Sequence, residues 1–326
     1  MNKPQLRKRM VAGSVIAGLL LTSILIWSAT SLSSSEQTST ADTKKLTERD
    51  SSMNPKEVTI RVGQQGKEWV DMYPNAVHVN DKNANGEIVF YKVDWPDQGP
   101  FGTVSIDHGV NSFNVPYVMG VMGSALPSDH PDEGIDEFDL SVSLTPSPTE
   151  SHPEALHQFY ALLKTIQNVG WKREIRVFNP RLSGRDALLY SQTEDGDGYS
   201  IDASYVPTLI EWMKIEDIGS HWRFYANNVY LDVTFMRDHD KMDTNQPGAY
   251  LVSLNFKNSN SVERAYFKEK DRPRYKQLYP AERKRLAKLR GEAERKISSQ
   301  YHIDETYIDP DGETLAPGWI RQGEIN

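Results

Sequence analysis

The sequence predicts an α+β head, mostly antiparallel sheet with two main helices and a C-terminal helix, behind a single N-terminal transmembrane helix. Three observations lead there. Residues 11–27 form an uncharged apolar run preceded by Lys3, Arg7, Lys8 and Arg9. The strand-like segments after residue 56 outnumber the helical ones and fall into hairpins, which argues against a doubly wound parallel sheet. Two longer stretches carry a 3.6-residue apolar period with helix-start signals.

The apolar run, at 1.5 Å per residue, spans roughly 25 Å as a helix, near the lower limit for crossing a bilayer. Basic residues precede it and none follow before Lys44, so the positive-inside rule leaves the N-terminus (residues 1–10) in the cytoplasm and the bulk of the chain outside. Residues 11–30 are therefore a transmembrane anchor. The competing reading is a cleaved signal peptide, for which Ala29 and Ser31 supply small residues. Residues 31–55, "SLSSSEQTSTADTKKLTERDSSMNP", are Ser/Thr-rich and charged and read as a flexible tether.

The head divides by pattern into residues 56–148 and 149–326. In the first lobe "EVTIRV", "GEIVFYKVDW", "GTVSIDHG", "NVPYVMGVMG" and "DEFDLSVSLT" read as strands, and "GKEWVDMYP" as a short helix stopped by Pro74. The second lobe opens on "SHPEALHQFYALLKTIQNVG". Ser151 and Glu154 make a capping box, Leu156, Phe159, Leu163 and Ile166 a stripe, and Gly170 the stop. "WKREIRVF" reads as a strand and "DALLYSQTEDGDGYSIDASY" as a hairpin about an Asp-Gly turn. "TLIEWMKIE" is a short helix with a Thr208/Glu211 capping box. "HWRFYANNVYLDVTFMRD" is a hairpin whose Asn227-Asn228 suits the positive φ of a type I′ turn, with Trp222, Phe224, Leu231, Val233 and Phe235 on its buried face. "GAYLVSLNF" adds a strand, and "AERKRLAKLRGEAERKI" an amphipathic helix on Leu286, Leu289, Ala293 and Ile297. Glu-Trp followed by a Phe-Tyr strand occurs at 68–91 and again at 211–225, with unequal spacing. Two related lobes and a chance recurrence both fit it.

Composition limits function. The chain has no Cys, so disulfides, thiolate metal sites and a lipid-modified cysteine are excluded. Beyond the four N-terminal charges it keeps 33 basic and 45 acidic residues, a net charge of −12, which disfavours nucleic acid as a partner. "GQQGKE" has two residues between its glycines where a phosphate loop needs four, and Glu68 follows its Lys. His152 and His157 are five apart and cannot share a metal as an i, i+4 pair does. The acid–histidine groups are Asp107-His108 and Asp238, His239, Asp240 and Asp243, for which a solvated loop is the simpler reading. "EDGDG" lacks the remaining ligands of a calcium loop. No Gly-x-Ser-x-Gly or Ser-x-x-Lys motif and no Cys nucleophile is present. The sequence therefore names no catalytic residue, no cofactor and no metal.

The residues that suggest a protein partner are aromatic and acidic: Trp222, Tyr225, Tyr230, Tyr199 and Tyr205, with Asp195 and Asp197. The same aromatics are also ordinary sheet core, the role expected of at least half. Arg272 to Lys296 carries ten basic and three acidic residues, a solvated helix face or a contact for anionic lipid or an acidic partner.

"EFDLSVSLTPSPTESHPEALHQFYALLKTIQNVGW", "YVPTLIEWMKIED" and "WRFYANNVYLDVTFMRD" together resemble a group of membrane-tethered or exported bacterial immunity proteins found beside type VI secretion antibacterial phospholipase effectors. The resemblance spans residues 100–255. It implies binding of a secreted toxin on the periplasmic side of the inner membrane, and transfers no individual residue. The alternative from the same topology is a structural or assembly component of the envelope or secretion machinery.

Overall fold

The computed structural model describes residues 54–81 and 87–310. The anchor and most of the tether read from the sequence lie outside the described residues, all of which belong to the unit Asp50–Asn326.

Alternating apolar residues build one sheet from both sequence lobes. Its strands are β1 (Glu57–Ile60), β2 (His78–Asn80), β3 (Val89–Asp94), β4 (Gly102–Ile106), β5 (Phe113–Ala125), β6 (Ile135–Val142), β7 (Lys172–Arg173), β8 (Trp222–Ala226), β9 (Val229–Arg237) and β10 (Tyr250–Asn258). The order is β1-β4-β5-β6-β10-β9-β8-β7. Long β5 pairs with β4 through its first half and β3 through its second, and β2 adds to β3. Only the β1–β4 pairing is parallel among these strands. The β6–β10 pairing (Phe138↔Phe256, Leu140↔Leu254) crosses the boundary drawn at residue 148, so the two stretches share a core rather than forming separate ones.

Period 2 sends Phe224, Leu231, Phe256 and Phe138 to one face, in register across four strands. Three helices cover that face. Trp69 of α1 (Gly66–Met72) meets Phe138 edge-on at 5.3 Å. Phe159 of α2 (His152–Asn168) sits at 4.7 Å from Trp222 and 5.5 Å from both Phe235 and Trp212. Trp212 ends α4 (Leu209–Trp212). Ser151 caps α2 by accepting from the Glu154 amide at 3.3 Å, a contact of about 1 kcal/mol. Glu154 does not reciprocate but takes a hydrogen bond from Gln158 at 2.7 Å, so the expected capping box is half formed. At Thr208 and Glu211 both halves are present.

The opposite face is polar. Asn255 donates to Glu137 and Asp139 at 2.6 Å each, and Lys257 reaches Glu137 at 2.8 Å. Burial, and then the neighbouring Glu137 carboxylate, push Asp139 up to about 6. Near β7 and β8 a second small core joins Ile175, Leu182, Ala187, Tyr190 and Tyr199 to Ile297, Tyr301, Ile303 and Tyr307. This core explains two departures from the pattern reading. Residues 184–191 form a helix, α3 (Gly184–Ser191), where a hairpin strand was expected, because Ala187 and Tyr190 face that core. The Asp-Gly pair closes a 3-10 turn, Glu194–Gly196, rather than a hairpin. "WKREIRVF" contributes only two strand residues, Lys172 and Arg173. The Asn227-Asn228 turn is as expected, with φ of 42° and 66°.

After β10 come α5 (Ser259–Arg264) and α6 (Tyr275–Ile297). The packed side of α6 carries Tyr275, Tyr279, Arg283, Leu286 and Arg290, and Leu289 of the expected stripe is 39% exposed. Arginines hold the helix because the Asp309 carboxylate and the carbonyls of residues 175, 176 and 179 lie beneath it.

Candidate functional site

The segment from Asp202 to Ser220 is pinned at its middle and open at its rim. Trp212 is fully buried and stacks on Phe235 at 4.6 Å. Arg237 lies over Trp212, Phe235 and Tyr250 at 5.1, 4.7 and 5.7 Å and donates through Nη2 to the Trp212 carbonyl at 3.1 Å. Ile210 precedes Trp212 by two residues, about 200° around the helix, and therefore faces solvent, 70% exposed. Val206 and Ile218, on the flanking loops, are 60% and 85% exposed.

Carboxylates accompany these aliphatic side chains. Glu211 accepts from Arg185 Nε at 2.8 Å, from Tyr205 Oη at 3.0 Å, and from the Thr208 amide and hydroxyl at 3.0 Å each. The Arg185 hydrogen bond, followed by those from Thr208, holds its carboxyl down at about 2. Glu194, Asp195, Asp197 and Glu216 are exposed. Gly219, at φ +87°, lies so close to Asp197 that a Cβ there would come within 2.8 Å of Oδ1, which places the acidic 194–197 turn directly against the loop bearing Ile218. The cation on the segment is Lys214, and Arg185 of α3 is tied to Glu211.

Of the residues singled out from sequence, Tyr205 bonds Glu211 on this segment, Asp197 abuts it at Gly219, and Asp195 lies in the adjoining turn. Trp222, Tyr199 and Tyr225 are corrected by burial. Trp222 and Tyr199 are fully enclosed and Tyr225 nearly so: all five residues of β8 are buried, and Tyr199 lies in the second small core. Tyr199 spends its hydroxyl inside, donating to the Pro180 carbonyl at 2.9 Å and accepting from the Leu182 amide at 3.1 Å. Half-buried Tyr230 packs on Tyr225, ring centres 4.9 Å apart. A partner cannot touch Trp222 or Tyr199 in the folded head. The aliphatic trio went unnoticed in the sequence; the signal was three large apolar residues off the helical stripe inside "YVPTLIEWMKIEDIGS".

The acid–histidine groups are engaged locally. His108 meets the Ala226 carbonyl at 2.9 Å and lies 5.1 Å from the Trp171 ring. Asp238 accepts from the Asp240 amide and pairs with Lys241, and His239 reaches Asp217 at 3.2 Å. Among the described residues no group of three His, Asp or Glu side chains is placed to hold a metal ion.

Next to these loops lies a buried carboxyl, Glu150. Its Oε2 accepts from Thr145 at 3.3 Å, while Oε1 is enclosed without a hydrogen-bond partner among the described residues. Burial, reinforced by the charge of Glu154, raises its pKa from 4.5 to about 7. The folded state thus holds this proton at pH values where the unfolded chain releases it. Stability from this group falls as pH rises from 4.5 to about 7 and levels off above. Glu150→Gln will raise the thermal midpoint at about pH 8 by about 3 °C and shrink the gain that the parent shows on acidification to about pH 6. Thermal scans of the two proteins at both pH values check this; an unchanged pH dependence in the variant would exclude Glu150 as its source.

No protein-family profile matches this chain, and no curated protein or solved structure shows significant similarity to it.

Proposed function

We propose that this protein is a binding module tethered by residues 11–30 to the bacterial inner membrane, with its head in the periplasm, where it acts as an immunity protein that binds and blocks a secreted antibacterial toxin of the phospholipase type. The observation that carries the binding role is the trio Val206, Ile210 and Ile218, exposed on a segment that buried Trp212 holds still. Water-exposed aliphatic side chains on an acid-rimmed segment pinned by a buried tryptophan favour association with another protein. Burying one such side chain contributes about 1.5–3 kcal/mol. The rim of Glu194, Asp195, Asp197 and Glu216, on a head (residues 56–326) of net charge −11, selects a basic surface and accelerates its approach. The toxin class comes from the sequence resemblance, and the address from the apolar run and its basic flank.

The test is a crosslinked pull-down of the full-length protein from detergent-solubilised native membranes, with mass-spectrometric identification. A stoichiometric secreted lipase or other toxin is the expected result. Recovery of envelope or secretion-machine proteins in its place would refute immunity and assign an assembly role.

A further inference from the structure

Helix α6 is held in one rotational setting by the side it buries. Arg290 donates to both Asp309 carboxylate oxygens (3.0 and 2.9 Å) and to the carbonyls of Asn179, Ile175 and Arg176. Arg283 reaches Asp309 at 3.3 Å, and Glu294 receives two hydrogen bonds from the Arg181 guanidinium, at 2.7 and 2.9 Å. With that side locked, Lys276, Lys284, Arg285, Lys288, Arg295 and Lys296 all face outward. Two acidic residues accompany them: exposed Glu292, and Glu282, which Arg285 already engages at 2.8 Å. Leu289, 39% exposed, lies at the edge of this face, toward the buried side, near a shallow depression lined by Glu292, Arg295 and Lys296.

Segregated positive charge on an otherwise acidic head is not required by the packing, because the buried arginines and tyrosines already fix the helix. Like charges along one face repel one another and favour an anionic counter-surface. We propose that the outer face of α6 docks flat on anionic phospholipid headgroups of the bilayer that anchors the chain. The proposal rests on the anchor reading in one respect: residues 31–53, read from the sequence as a tether, have an expected root-mean-square reach of roughly 24–29 Å, so the head stays concentrated at the membrane and weak attraction is enough. A helix of 23 residues is roughly 35 Å long, several Debye lengths at physiological salt, so its charges act on many headgroups together. Leu289 and the lysine stems enter the headgroup region. The same face would suit an acidic protein, but the tether supplies a membrane at all times.

The full chain is incorporated into nanodiscs of phosphatidylcholine alone or mixed with phosphatidylglycerol, and lysine acetylation is followed by mass spectrometry. Lys288 and Lys296 are expected to react about tenfold more slowly in the anionic discs and to recover at about 0.5 M salt. Lys67, 84% exposed on α1, serves as the reference and reacts equally in both. Equal rates at Lys288 and Lys296 in the two disc types overturn the proposal. So does protection that appears in both disc types only when periplasmic proteins are added, which would make the face a protein contact. Recovery of the chain with the discs reports separately on the anchor. If the chain stays outside them, the same labelling with phosphatidylglycerol vesicles decides the docking, and equal rates with and without vesicles overturn it.

Discussion

Asp309→Ala will destabilise the head by about 3–5 kcal/mol and release the C-terminal helix, because it strips the shared counter-charge from two buried guanidiniums. Arg283 and Arg290 are each 3% exposed and Asp309 6%. Asp309 joins both arginines, and Arg290 in turn spans to the carbonyls of Asn179, Ile175 and Arg176. Beside it the Tyr307 hydroxyl accepts from the Ile175 amide at 2.7 Å, so the last described turn is stitched to the loop after β7. Without the carboxylate, the two guanidiniums lose the counter-charge they share, and exposing them to water means lifting α6. Against a total stability of about 5–15 kcal/mol this is a large fraction. Urea unfolding followed by circular dichroism measures the loss, and hydrogen exchange at residues 275–297 measures the release. Asp309→Asn, which keeps the shape but not the charge, is expected to fall between parent and Ala. A triple replacement, Arg283→Met with Arg290→Met and Asp309→Leu, should recover much of the loss, since no charge is then left buried. An Asp309→Ala protein within about 0.5 kcal/mol of the parent would show that water already screens the cluster.

The parts of this fold that were legible in the sequence are those decided locally. The Asn227-Asn228 turn needs two residues that tolerate positive φ, and the Thr208/Glu211 box needs two side chains three residues apart; both signals are complete within four residues. The strands of β6, β9 and β10 alternate because one face is apolar core and the other polar. The misreadings arise where a distant partner decides. Residues 184–191 look strand-like until Ala187 and Tyr190 find Tyr199 and Tyr301 beyond the segment itself. The buried side of α6 is invisible to an apolar stripe, since Arg283 and Arg290 are buried only because Asp309 and the carbonyls of residues 175–179 meet them. The candidate site divided in the same way. Aromatic content marked Trp222 and Tyr199, yet the cover of β8 takes the first inside and the second small core takes the other, whereas Asp195 and Asp197 stay exposed and Tyr205 is half-buried with its hydroxyl on Glu211.

Ile210→Glu combined with Ile218→Glu will abolish capture of the partner, weakening it by about a hundredfold or more, while leaving the head folded. Each change forfeits about 1.5–3 kcal/mol of apolar burial at the contact and puts a further carboxylate where the partner must be desolvated. The fold should not notice. The two side chains are 70% and 85% exposed, and position 210 lies in the first turn of α4, where a carboxylate suits the helix dipole. Val110→Glu is the matched control, since Val110 is 88% exposed but sits in the 3-10 turn Gly109–Asn111, away from this segment in the chain; it should leave capture unchanged. Asp195→Lys with Asp197→Lys separates steering from contact: association should slow and its salt dependence flatten, with dissociation little altered. Pull-down yield and binding kinetics against the recovered partner read all three variants. Full capture by the Ile210/Ile218 variant would exclude this segment as the binding face. Loss by that variant, with retention by Val110→Glu, ties recognition to the side chains that folding left in water around a buried tryptophan.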